Sequence, residues 1–433
     1  MNTITIPSHL EGFINTNTEE RRTISERDIY LIDGELEEKE EDRICPHCGE
    51  RMHIHNTYDV SLNHLPIGSN LASIRFPKNR YYCPKCNSTA MQEVGFKAEG
   101  HRITIPLLVF TQDLLSRGLT LKMVSSLTGL GRNTVKEIDK KRLQELYCKE
   151  GGNKWKIPDE RPSVIGIDEF KLHDGHKYAT IILSMETGHV LYLAKGKKKQ
   201  VVHDFIEFVG EEWMDSVEAV CCDMNSDFQE AFEERCTHIQ CVFDYFHIKK
   251  NFNDKVISEI RKDEQQRLIR EGRKDEATAL KKTKYILTSS RETLSKKDEK
   301  YGSSKLSKYE ELIKENKLLF MTDVIKEKLT LAYSLADESK MAKEITEIID
   351  TCRETKNEHF KWFANLLENH FEGIIAHATY KVSSGKVEGT NNMIKTIRRQ
   401  GYGYPDDDYF FLKIFDASRR TYVRNPKSHK ICD

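Results

Sequence analysis

Val164-Ile165-Gly166-Ile167-Asp168-Glu169-Phe170 carries the fold of this chain in miniature. A short apolar run, set off by Pro158 and Pro162, spells a buried strand that delivers a carboxylate at its end. The same device returns at Val217-Glu218-Ala219-Val220-Cys221-Cys222, which ends on Asp223. Between the two, Tyr178 to Met185 and His189 to Leu193 read as strands around the hairpin signal Glu186-Thr187-Gly188. An amphipathic helix is predicted over about 201 to 214, another over about 226 to 235, and a fifth strand over Ile239 to Phe243. The class is therefore α/β. Ligand sites in open α/β sheets lie beyond the carboxyl ends of such strands, where Asp168 and Asp223 are expected.

Taken singly, each acid would be an ordinary strand-end residue; the order strand, hairpin, helix, strand around them points further. Two carboxylates there, joined by a third from a helix, can hold two Mg²⁺ ions, hard cations that prefer oxygen ligands. Such a pair activates a water or 3′-hydroxyl and stabilises the leaving oxygen of an in-line displacement; Mn²⁺ can substitute. The third acid is Glu388, in Ser383-Ser384-Gly385-Lys386-Val387-Glu388-Gly389-Thr390-Asn391-Asn392. Helical spacing sets Glu388, Asn391 or Asn392, and Lys395 on one face, with Val387, Ile394 and Ile397 toward a core. Arg398 and Arg399 extend that face toward a phosphate backbone, making Asn391, Asn392, Lys395, Arg398 and Arg399 candidate DNA contacts. Asp227 is the alternative second metal ligand, one helical turn past its strand.

Upstream, Cys45-Pro46-His47-Cys48 and Cys83-Pro84-Lys85-Cys86 have the form of two zinc knuckles. Each C-x-x-C turn presents two thiolates to one tetrahedral Zn²⁺, and strand-like segments between them suit a zinc ribbon. His53, His55 and His64 are alternative ligands. Beyond the ribbon, Thr120 can cap a helix carrying Val124 and Leu127, Gly129-Leu130-Gly131 makes a turn, and Val135 and Ile138 continue a second helix. That is a helix-turn-helix pattern, with Arg132, Asn133, Thr134 and Lys136 where base and phosphate contacts are made. Any three-helix packing has similar spacing, so the neighbouring ribbon strengthens the DNA-binding reading.

The chain has 433 residues and a formal net charge of −1, so total charge excludes neither nucleic acid nor protein partners. Its distribution is more telling: the first forty-odd residues are acidic, whereas about 245 to 310 and 380 to 430 are rich in Lys and Arg. Eleven cysteines, four of them in C-x-x-C pairs, favour metal over disulfides in a reducing compartment. With no long apolar run and no signal-peptide pattern, a cytoplasmic, nucleoid-associated protein without membrane contact is expected. The organisation expected is a lead-in over 1–43, a zinc ribbon over 44–90, a helix-turn-helix domain over 100–150 and a linker before Pro158. A catalytic core follows over 160–250 and 375–425, split by a charged α-helical insertion over 250–372.

Ribbon, helix-turn-helix, Gly166-Ile167-Asp168-Glu169-Phe170, Cys222-Asp223-Met224, Asp244-Tyr245-Phe246-His247 and Gly385-Lys386-Val387-Glu388-Gly389-Thr390-Asn391 together resemble the insertion-sequence DDE transposases of the ISL-three group. The resemblance runs from about 44 to 425 and implies an RNase H-like core interrupted by the insertion. It implies binding to terminal inverted repeats, cleavage at the element's ends and joining of 3′ ends to double-stranded target DNA. His247 matches the family-type Asp-x-x-His, similar to a histidine of hAT and Mutator-like transposases that positions a phosphate near the metals. A homodimer on DNA is expected, since one core has one metal site and two ends must be processed. The rival readings are a DNA-binding regulator derived from a transposase, which needs no carboxylate triad, and a metal-dependent nuclease without strand joining.

Overall fold

The computed structural model describes residues 10–21, 27–151, 154–175, 177–224, 226–383, 385–401 and 403–420. Gly152 and Asn153 of the expected linker, and Ser384, lie outside the described residues. The chain divides into two compact units, Met1–Trp155 with Ile397–Asp433, and Lys156–Thr396.

The first unit opens with β1 (Phe13–Arg21) and β2 (Ile29–Leu36), followed by β3 (His53–Ile67), β4 (Asn70–Tyr82) and β5 (Thr89–Met91). Their order is β1-β2-β4-β3, with β5 on β4. The expected lead-in over 1–43 is thereby corrected: its strand β2 pairs parallel with β4, and Ile32 is fully buried beside Ile74. The acidic composition hid that strand, because its charges fall outside the apolar residues that face the core. Three helices follow, α1 (Ile105–Ser116), α2 (Leu121–Thr128) and α3 (Arg132–Tyr147). Thr120 caps α2 by accepting from Met123 N, and Gly129 ends it at φ 73°, a left-handed turn that glycine adopts without strain. Val124, Leu130, Val135 and Ile138 close the core between these helices.

The second unit is built on β6 (Val164–His173), β7 (Lys177–Ser184), β8 (Val190–Lys195), β9 (Ala219–Cys222) and β10 (Gln240–Phe243). They form one sheet in the order β10-β9-β6-β7-β8. β6, β9 and β10 run parallel, whereas β7 and β8 return antiparallel from β6. Among its helices, α4 (Lys199–Val209) buries Val201, Val202, Phe205, Ile206 and Val209 along one stripe. It is followed by α5 (Glu211–Met214), α6 (Ser226–Arg235) and α7 (Tyr245–Phe252).

The insertion is helical: α8 (Ser258–Arg270), α9 (Lys274–Lys281), α10 (Lys284–Leu287), α11 (Arg291–Tyr301), α12 (Lys305–Glu315), α13 (Lys317–Ser334), α14 (Glu338–Glu354), α15 (Glu358–Asn369), α16 (Phe371–Ile375) and α17 (His377–Tyr380). Tyr245, at the start of α7, ties it to the sheet: its hydroxyl lies 2.9 Å from Thr330 Oγ1 and its ring packs on Tyr333. The chain then enters α18 (Gly385–Gln400) and α19 (Asp407–Ser418). Ile397 onward belongs to the first unit. Asp406 caps α19, and the apolar stripe of that helix packs with Leu143 and Cys148.

Gly166 sets how closely α18 can approach the sheet. A Cβ there would stand 2.6 Å from Met185 Sδ and 3.0 Å from Val387 Cγ2, tighter than side chains tolerate. Gly166→Val should therefore cost about 1–3 kcal/mol of stability by overpacking, read as a lower urea midpoint. An unchanged midpoint would show that Val387 of α18 does not rest on this strand.

Candidate functional site

Parallel register places Asp168 and Asp223 side by side. Gly166 pairs with Cys221 across β6 and β9, and each acid lies two residues further along its strand. Period-2 alternation sends both side chains to the face of Gly166 and Cys221. α18 crosses that face: Val387 rests on Gly166, and one turn later Asn391 Nδ2 donates to Asp168 Oδ2 at 2.6 Å. Lys386 steadies the start of the helix by donating to the backbone oxygens of Met185 (2.7 Å) and Glu186, at the β7–β8 hairpin. Glu388 precedes Asn391 by three residues and is exposed on the adjoining helical face.

Asp168 also accepts from the Glu169 amide at 2.8 Å, and Asp223 from the Met224 amide at 2.7 Å. His247, near the start of α7, lies 3.0 Å through Nδ1 from Asp223 Oδ1. Burial pushes the Asp168 carboxyl above its ordinary range, against the opposing pull of the Glu169 amide, Asn391 and His247. At Asp223 burial acts the same way, but the hydrogen bond and charge of His247 outweigh it and hold the carboxyl low. Burial disfavours the His247 cation, yet Asp223 raises its pKa. Two neighbouring carboxyls are thus pushed in opposite directions, Asp168 up by burial and Asp223 down by His247.

The donors here are hard oxygens, the set that Mg²⁺ prefers. Asn391 Oδ1 is buried without a hydrogen-bond partner, and so is Glu169 Oε2. An orphaned carbonyl beside Asp168 costs about 1–3 kcal/mol unless something meets it, which suits a bound cation or its water. Asp168 is thus paired with Asn391, and Asp223 with His247. Among the described residues, the four cysteines are the one group of three or more His, Cys, Asp or Glu whose ligand atoms all lie within 4.8 Å of each other. Asp227 lies in the first turn of α6.

Those cysteines are Cys45, Cys48, Cys83 and Cys86. Their sulfurs are 3.4 Å apart for Cys45–Cys86, 3.5 Å for Cys48–Cys83 and 3.7 Å for Cys48–Cys86. Tetrahedral zinc with Zn–S bonds of about 2.3 Å needs edges near this length, so the cluster supports a structural Zn²⁺. Gly49 (φ 72°) and Asn87 (φ 53°) take equivalent left-handed positions after the two C-x-x-C turns. The Ser88 hydroxyl lies 3.2 Å from Cys45 Sγ and holds that thiol down to about 5. His64, an alternative ligand in the sequence, is instead buried against Thr104 at 2.9 Å; His53 and His55 are exposed on β3.

The candidate DNA contacts separate. Arg132 and Asn133 are exposed at the start of α3 with Thr134 half-buried behind them, but Lys136 pairs with Asp406 at 3.1 Å. Asn392, Lys395 and Arg399 are exposed, Arg398 lies over the Phe410 ring, and Asn391 is committed to Asp168. Sequence reasoning placed Asn391 near the acids but missed its bond to Asp168; its i+3 spacing from Glu388 was the available signal. Lys386 as a backbone anchor and Asp406 as a partner of α3 had no local signal.

Residues 165–414 match the family model DDE_Tnp_ISL3, described as a transposase. Residues 41–86 match the zinc finger of the transposases of IS204, IS1001, IS1096 and IS1165. The transposase for insertion sequence element IS1001 of Bordetella parapertussis is 25% identical over 373 residues, covering 86% of this chain and 87% of that protein. The transposase for element IS1557 of Mycobacterium tuberculosis is 25% identical over 260 residues, 55% of this chain and 56% of that one. Among solved structures, the Drosophila P element transposase strand transfer complex aligns over 75% of this chain and 94% of its own, with 11% identity and a TM-score of 0.37. No described helix is long and apolar enough to cross a membrane.

One Zn²⁺ per chain is expected by elemental analysis of protein purified without chelator. Cys83→Ser should release it and lower the thermal stability of the first unit, because structural zinc supplies folding energy. Zinc retained at full stoichiometry by that variant would remove Cys83 from the ligand set.

Proposed function

This chain belongs to the ISL3 family of transposases, and from that premise we propose that it binds the terminal inverted repeats of an insertion sequence, cleaves its ends and joins them to target DNA. The observation that carries the reading is the juxtaposition of Asp168 and Asp223 on neighbouring parallel strands, with Asn391 bringing the helix of Glu388 onto Asp168. Asp223 lies just past the end of β9, and Asp168 midway along β6, which runs on to His173 rather than ending at the acid as expected. Three antiparallel strands, β6 to β8, continued by two parallel ones support an RNase H-like core split by the helical insertion. Asp168, Asp223 and Glu388 are the residues that would hold two Mg²⁺ ions, with Asn391 Oδ1 as a further oxygen donor. Bound there, the ions would supply charge neutralisation and an activated hydroxyl for in-line phosphoryl transfer.

The chain's own residues then have separable tasks. Asn391 orients the Asp168 carboxylate and, through α18, sets the reach of Glu388. His247 is held by Asp223 through Nδ1 and leaves its other ring nitrogen to engage a phosphate oxygen. α2 and α3 serve as the helix-turn-helix reader, with Arg132, Asn133 and Thr134 at the groove. Paired ends call for a homodimer on DNA, one site per end. The cation-bearing helices of the insertion, α8 among them, shield the cleaved strands.

Asp168→Asn, Asp223→Asn and Glu388→Gln should each reduce cleavage by orders of magnitude while leaving binding to end DNA within about twofold. Labelled end duplex incubated with Mg²⁺ and a target plasmid reads cleavage and joining in one gel. Near-normal activity in a variant would remove that residue from the triad. Cleavage without joined product in the wild-type protein would favour a nuclease instead.

A further inference from the structure

Within the first unit, the last described segment of the chain returns to the helix-turn-helix and locks onto it. Asp139 of α3 is fully buried and accepts from Arg142 (2.9 Å), from the Tyr409 hydroxyl (2.7 Å) and from Lys413 (2.8 Å). Arg142 also reaches Asp416 at 3.3 Å, and Asp416 in turn holds Arg420 at 2.6 Å. This joint frames an open cleft of about 520 Å³ between the starts of α2 and α3 and the residues from Ile397 to Arg420. Lys122, Arg132, Lys136, Lys413 and Arg420 line it, and Asp406 is its one acid.

Charge in the cleft is unevenly compensated. Lys122 and Arg132 are exposed and have no acidic partner among the described residues. Lys136 and its neighbour Lys140 converge on a single Asp406 oxygen, at 3.1 and 3.0 Å. That carboxylate has backbone support as well, since Asp406 Oδ1 accepts from Tyr409 N at 3.1 Å. Burial opposes its charge, but the Tyr409 amide, Lys140 and Lys136 hold its carboxyl down to about 2. An oxyanion gripped by two lysines in a cationic cleft has the charge and the hydrogen-bond demand of a backbone phosphate.

We propose that this cleft is a seat for the phosphodiester backbone of duplex DNA, built jointly by the helix-turn-helix and the returning segment Ile397–Arg420, and that Asp406 is an internal counter-ion which a phosphate replaces on binding. It rests on the reading that the first unit binds DNA, and extends it to a segment outside the helix-turn-helix. Asp406 thereby tempers affinity for DNA of any sequence, because a duplex must displace it before gaining both lysines.

Fluorescence anisotropy of the full-length, zinc-loaded protein tests this, with an end duplex and an unrelated duplex each titrated over a salt series. Asp406→Asn keeps the helix cap, since Asn caps as well as Asp. It should tighten binding to both duplexes about 3–10-fold at low salt and steepen the slope of log K against log salt by roughly 1. Adding Lys136→Gln to that variant should erase most of the gain. Lys122→Ala, which removes no ion pair among the described residues, should weaken both duplexes about 3–10-fold and flatten the slope by roughly 1. Inorganic phosphate at constant ionic strength should not displace the duplex. Unchanged or weaker binding by Asp406→Asn, unchanged binding by Lys122→Ala, or displacement by inorganic phosphate would each overturn the proposal. A wild-type protein that bound no duplex would overturn the DNA reading with it, whereas normal wild-type binding beside inert variants overturns this inference alone.

Discussion

The arrangement of the candidate active site depends on one contact made across more than two hundred residues: the Asn391 carboxamide on the Asp168 carboxylate. It is possible because Gly166 has no side chain, so that Val387 can lie against the strand and bring the next turn of α18 over its end. Strand pairing alone aligns Asp168 with Asp223, since their strands are neighbours in one sheet. Nothing local aligns either with Glu388, which the chain reaches only after the helical insertion. The hydrogen bond and the glycine together turn that distant helix into part of the same surface. His247 completes the other side, fixing Asp223 as Asn391 fixes Asp168.

Much of this was legible in the amino-acid order, for a physical reason. Most strands of the second unit are short apolar runs bounded by turn residues, which announce themselves without any alignment. β6, by contrast, continues past its apolar start through Asp168 to His173, an extension the expected four-residue strand lacked. The hairpin at Gly188, the capped helix after Thr120 and the left-handed Gly129 are likewise local, decided within a few residues. The knuckles were legible because a C-x-x-C turn has little else to do when a second one follows. What could not be read was partnership between remote polar groups. Lys136 looked like a free cation at the start of a reading helix, and only the fold shows Asp406 against it. Asn391 looked like a surface amide, and only the fold commits it to Asp168. The strands near the amino end were missed for a different reason: acidic composition outweighed a short apolar pattern whose burial depends on β4.

The two units are stabilised by different means. In the second, a sheet is covered by apolar helices, and some buried polar groups of the insertion find partners within it. Lys326 is one of these, its ammonium donating to Leu287 O, Ser289 O and the Tyr309 hydroxyl while burial lowers its pKa to about 8. In the first, the sheet around the cysteines is anchored by a cluster that suits zinc, and its helices are held to the end of the chain by ion pairs with little access to water.

Asp139 gives that last arrangement a consequence for biosynthesis. Two of its three partners, Tyr409 and Lys413, follow it in the chain only after the whole second unit. A polypeptide terminated early, by a nonsense codon or a frameshift within the long insertion, would lack α19, leaving Asp139 with Arg142 alone beside it and the apolar face around Leu143 and Cys148 uncovered. Helices exposed in that way are marginal in water and open to proteolysis. The fold thus makes a sound first unit conditional on translation through the insertion to α19.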